Sequence, residues 1–332
     1  MLDILNKIKL AEEARNTYYQ AFKTDPLARF LINKLHLSPL KAYLLGLAIV
    51  VFYDGLALVM KYTGLNPAGF NLPTLDIAYD LVFIPAVFYF YIWTSTMPQE
   101  VFLRLDFEGL KVDEYRDMNE FAKRATSSFI HHYFWPLISI ILTSLWFLYT
   151  EYGSFIYSHV WGTPEANFWL FRIIKIPILW ALPIYMVIVI YGKQMMMALR
   201  VRRMIRSKKK EAQKVKADRI SSIISGYFSR FAHFVGACGV GFVLLLYRAS
   251  ALGYTHIDFV VPSALVSYLS LCAFFLFYPL QPLSALTRLT DGIPDLHLKH
   301  FTFGVPSQAF ATFVVVAILP GVLWTGIRLM MR

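Results

Sequence analysis

Apolar residues in this chain come in long blocks, not in short alternating stretches. Seven blocks stand out, at about 40–60, 75–97, 128–150, 168–195, 231–254, 258–280 and 305–328. Each is near the ~20 residues that an α-helix needs to cross ~30 Å of hydrocarbon. The pattern predicts an all-α fold, a polytopic membrane helix bundle of about seven transmembrane helices. Ser38-Pro39 marks the start of the first block, and Lys41 and Lys61 bracket it. Pro177, Pro183, Pro262, Pro279 and Pro320-Gly321 fall inside blocks and predict kinks.

Residues 1–39 read differently. Met1, Ile4, Ile8, Ala11, Tyr18 and Phe22 fall near helical spacing. "TDPL" (24–27) supplies a cap and a proline for the first turn of a second helix, with Leu27, Phe30, Leu31 and Leu35 on one face. This predicts an amphipathic membrane-surface arm over 1–39, followed by a transmembrane bundle over 40–330. Between blocks, "VFLRLDFEGLKV" (101–112) alternates at Val101, Leu103, Leu105 and Phe107 before the turn signal Glu108-Gly109, which predicts a small hairpin. The 199–230 stretch lacks Gly and Pro until Gly226, so helices are expected to run on through it.

Composition names the solvent. Of 332 residues 57% are hydrophobic and 16% are charged, against about 25% charged in soluble domains. A soluble fold of this size could not bury so much apolar surface. Net charge is +11, and the basic residues cluster in the arm and in the loops 98–127 and 199–230. The 151–167 loop has no Lys or Arg, and 61–74 has only Lys61. The alternation puts the N-terminus and both basic loops on the positive (cytoplasmic or matrix) side, with anionic lipids as partners of 199–230. Arg328 and Arg332 run against this placement of the last helix. No nucleic-acid partner is expected. Asp3, Glu12 and Glu13 argue against a cleaved signal or transit peptide, and Cys238 and Cys272 read as free thiols within apolar blocks.

No phosphate loop, dinucleotide fingerprint or H-E-x-x-H motif is present. "GACGVG" (236–241) sits inside an apolar block, where small residues let helices approach closely. His131, His132, His233, His297 and His300 are the weak metal candidates, and haem is the cofactor option they leave open. No cofactor is expected otherwise. The sharper signal is charge within the blocks, which costs roughly 2.5–3.5 kcal/mol per residue on insertion scales. Asp54, Asp76, Asp80, Arg172, Lys175 and Arg248 all fall in the half of the bilayer away from the positive side. They form an expected intramembrane polar cluster, with Asp54 or Asp80 as partner for Lys175.

These features favour a non-catalytic integral membrane protein, a structural or assembly subunit of a larger membrane complex, such as a bioenergetic one, with other membrane subunits or copies of itself. The alternative is a seven-helix channel, transporter or receptor with its polar site in the far half. Seven spans with the N-terminus on the positive side resemble the topology of insect chemoreceptor channels; the likeness is one of topology and carries no residues over. A haem or metal redox protein is the third reading. The membrane itself, whether bacterial inner, plasma or mitochondrial inner, is not distinguished.

Overall fold

The computed structural model describes residues 25–62, 74–107, 178–179, 182–207, 217–251, 268–270, 272, 301–302 and 305–330. They are almost wholly helical. A short α1 (Pro26–Arg29) runs into a π-turn at Phe30–Lys34, followed by long helices α2 (Pro39–Tyr62), α3 (Thr74–Phe107), α4 (Leu182–Ser207) and α5 (Ala217–Ala251). Two-residue strands β1 (Phe301–Thr302) and β2 (Val305–Pro306) pair antiparallel ahead of α6 (Ser307–Met330).

Three helices are long and apolar enough to cross a membrane among the described residues: Pro39–Leu56, Ile77–Pro98 and Leu182–Arg203. The inside-out polarity of α2 fits lipid. Its inner stripe is Ala42, Gly46, Val50, Tyr53 and the acid Asp54, while Leu40, Leu44, Val51, Phe52 (72% exposed) and Val59 face outward. In water that arrangement would expose apolar surface and bury a carboxylate, opposite to what solvation favours.

The packing pairs set helix directions. A Cβ added at Gly46 of α2 would sit 3.0 Å from Pro85 Cα and 3.3 Å from Phe88, tighter than nearly all real Cβ contacts, so glycine lets α2 and α3 approach closely. Trp93 stacks on Tyr227 at 4.9 Å, Phe90 meets Phe234 at 5.0 Å, and Gly241 faces Tyr79 and Phe83. As α3 advances α5 recedes, so the two are antiparallel. Tyr91 lies by Tyr185 and Ser95 by Lys193, so α3 and α4 run parallel. Gly236 meets Val316 and Gly239 meets Pro320, so α5 and α6 are parallel too. The 236–241 glycines are therefore helix-packing residues. A Cβ at Gly239 would sit 2.7 Å from the Tyr268 ring and 2.8 Å from Pro320.

One expectation is overturned. Residues 101–107 are the last turns of α3, not a strand. Val101 and Leu105 are buried four residues apart, and Glu100 pairs with Arg104 on the outer face. Alternation and helical spacing overlap over so short a stretch, and packing on α4 and α5 selects the helix. Residues 108–112 lie outside the described residues. The helices α3, α4 and α5 run on past the level where α2 begins, through much of the 199–230 stretch. The expected spans 128–150 and 258–280 lie outside the described residues, except for Tyr268–Ser270 and Cys272.

Pro320 removes an amide from the middle of α6, which orphans the carbonyl of Val316 four residues earlier. The Tyr268 hydroxyl donates to that carbonyl at 2.7 Å. In lipid an unsatisfied carbonyl has no water to turn to. Tyr268→Phe should destabilise the detergent-solubilised protein by about 0.5–2 kcal/mol. In a Pro320→Ala background, where the amide returns, the same change should cost clearly less. Equal costs in both backgrounds, measured by thermal unfolding, would show that the tyrosine does not serve the proline.

Candidate functional site

Polar side chains enter the bundle at two levels. The first holds Asp54 and Asp80, two of the six residues expected to form an intramembrane polar cluster. From Gly46, eight residues along α2 (~12 Å) lead to Asp54. Only residues 63–73 connect α2 to α3, too few to run back along the bundle, so the two helices are antiparallel, and the same distance back along α3 from Phe88 leads to Asp80. The two acids therefore stand level on facing helices. Both are buried, at 4% and 3% exposure. Asp76 and Arg248 belong to α3 and α5, and the α3–α5 register puts residue 248 opposite the start of α3. Arg172 and Lys175 lie outside the described residues, so the Lys175 pairing does too.

Of the histidines, His233 lies on α5 with an exposed ring whose Nδ1 is 2.9 Å from the Ser229 carbonyl. Residues 131, 132, 297 and 300 are outside the described set. Among the described residues no group of three or more His, Cys, Asp or Glu is placed to hold a metal.

The second level was not anticipated. Asp25 of the arm caps α1, its Oδ1 accepting from the Ala28 amide at 3.0 Å with Pro26 at the first helical position. The same carboxylate reaches into the bundle. Tyr91 Oη donates to Oδ1 at 2.6 Å and Lys193 Nζ to Oδ2 at 2.8 Å. Lys193 also donates to Ser95 Oγ at 2.7 Å and lies 4.9 Å from the centre of the Tyr91 ring. Ser95 in turn donates to the Tyr91 carbonyl at 2.8 Å, which leaves its lone pairs toward the ammonium.

On the neighbouring face of α4, Gln194 is fully buried and its Nε2 donates to Tyr227 Oη at 2.6 Å. Gln194 Oε1 and Ser229 Oγ are buried with no hydrogen-bond partner among the described residues. Both fall near the Lys193 level, since Gln194 bonds to Tyr227 two residues before Ser229. Buried orphan polar atoms at one level mark a place for water or a ligand. Between the two levels the core is apolar and aromatic, with Val50, Ile84, Val87, Phe90, Phe234 and Met186 all buried.

Electrostatics favour the charged form of Asp25. Burial pushes its pKa up, but the Lys193 charge, the Ala28 amide and the hydrogen bonds from Lys193 and Tyr91 outweigh burial and hold it below the ordinary 3.8. A depressed carboxylate pKa contributes stability above the unfolded value that is lost as pH falls through the folded one. The stability gap between wild type and Asp25→Asn should therefore stay constant from neutral pH to about pH 5, then shrink below about pH 4. Removing one partner of a buried pair costs about 3 kcal/mol. Asp25→Asn/Lys193→Met together should cost less than the sum of the single changes; additive costs, read by unfolding in mild detergent, would mean the two groups do not act as a pair.

Asp25 carries a sequence signal, its capping position in "TDPL", but that reading stops at the local turn. Lys193 falls near the end of the apolar block 168–195, ahead of the basic 199–230 stretch. Their meeting across 168 residues of chain is a product of the fold. Comparison with protein-family models, with curated proteins and with solved structures gives no match.

Proposed function

We propose that this chain is a seven-span membrane protein that moves a small cation or proton, with Asp54 and Asp80 as the groups that receive it. The observation that carries the reading is the two buried acids level on facing helices. An ionisable group inside a membrane bundle is costly, and its common use is a solute or proton path. The polar level near Asp25 and Lys193 and the aromatic stretch between the levels fit a path held closed.

Helix directions support the span count. Parallel α3 and α4 fit one return crossing within 108–181, and parallel α5 and α6 fit one within 252–306. The apolar blocks 128–150 and 258–280 are one candidate crossing each. The arm on the positive side follows from the Lys and Arg bias of the loops.

A second reading, a structural subunit, has its own observation. Leu40, Leu44, Val51, Phe52 and Val59 on α2, and Val315, Ile318 and Val322 on α6, form outward apolar stripes that a neighbouring subunit could cover as well as lipid. Flux separates the two. In proteoliposomes under an imposed potassium gradient, proton, sodium and potassium flux through wild type should exceed that of empty vesicles. Asp54→Asn and Asp80→Asn should each lower it at least about tenfold, the scale of 1.4 kcal/mol on a barrier, while eluting as wild type does on size exclusion. Flux equal to empty vesicles for wild type, or unchanged in both variants, removes the transport reading.

A further inference from the structure

We propose that Lys193, Tyr91 and Ser95 form a carboxylate-binding site on the positive-side half of the bundle, which Asp25 occupies as a tethered ligand. This does not depend on the Asp54/Asp80 reading.

The three donors and acceptors sit on α3 and α4, two long parallel helices, so their spacing is set by helix packing and not by the arm. The ammonium and the phenol each take a different oxygen of one carboxylate: Nζ bonds Oδ2 at 2.8 Å and Oη bonds Oδ1 at 2.6 Å. Two separate donors at the separation of two carboxylate oxygens recognise a planar anion. Charge-assisted bonds of this kind are the stronger ones. Ser95 and the Tyr91 ring orient the ammonium without using either oxygen. A hydroxyl that has already spent its proton on the Tyr91 carbonyl acts here as an acceptor, which fixes the site as one for an anion held by lysine.

From the arm's own backbone the Asp25 carboxylate accepts one further bond, from Ala28. What the bundle reads is therefore a carboxylate, and the arm is what delivers it. The delivery is local. Asp25 is followed by one turn of helix and the π-turn, and the joint to α2 is at His36, whose φ of 50° is the left-handed conformation that non-glycine residues seldom adopt. Lys193 keeps 27% of its side chain exposed, so the pocket is not sealed from a small solute.

Chemical rescue tests the site. Asp25→Ala leaves the pocket with its donors and room for a one- or two-carbon acid, and should melt below wild type in detergent. Sodium formate or acetate should raise its melting temperature by on the order of 2–4 °C in a saturable way, relative to sodium chloride at equal ionic strength. Wild type and Asp25→Asn, whose pockets are filled, should not respond, and Asp25→Ala/Lys193→Met should not either. Should Asp25→Ala not survive extraction in chloride, its recovery as a monodisperse peak in formate reads the same site. No formate effect on melting or recovery, or an equal effect in the double variant, overturns the proposal.

Discussion

The interior of an apolar helix bundle offers little water to complete a hydrogen bond, so a polar group that enters it is best answered from within the protein. That constraint explains the placement of the described polar contacts. The carbonyl freed by Pro320 is met by a tyrosine from another segment. Thr94, Ser95 and Thr96 turn their hydroxyls back onto carbonyls of their own helix. Lys193 finds a carboxylate, a hydroxyl and an aromatic ring. Each solution lowers the cost of a group that the helix could have lacked, which is why these positions draw the eye as functional.

Apolar packing does the remaining work, and here the small residues matter most. Two helices associate in lipid without a hydrophobic drive between them, so close backbone approach and shape must supply the attraction. At Gly46, against Pro85 and Phe88, an added methyl would be tightly crowded, and at Gly239, against Tyr268 and Pro320, it would force a neighbour to shift. The aromatic contacts of Phe90, Trp93, Tyr227, Phe231 and Phe234 then fill the interior between α3, α4 and α5.

The two polar levels differ in how they are built. The Asp54/Asp80 level joins acids on neighbouring helices, brought together by an α2–α3 pairing that a short connection favours. The other level joins residues 25, 91 and 193, one from the arm and two from helices far apart in sequence. Asp54 and Asp80 stand out in the sequence because each interrupts an apolar block, and both are buried. The other level does not stand out in this way. Asp25 already had a sufficient local role as a cap, and Lys193 lies close enough to a basic stretch to pass for a flanking residue whose charge reaches water.

The sequence by itself determined that the described chain is helical, that three of its helices are long and apolar enough to cross a membrane, and that α2 begins at Ser38-Pro39, because block length, proline and capping act over a few residues. It also determined that 236–241 would be a packing segment, since glycines in an apolar helix have little else to offer. Only the tertiary structure decided that residues 101–107 continue a helix, which spans run parallel, and which acid Lys193 meets. Those outcomes depend on register between distant helices, where a shift of one residue rotates a side chain by about 100° and exchanges a partner for lipid.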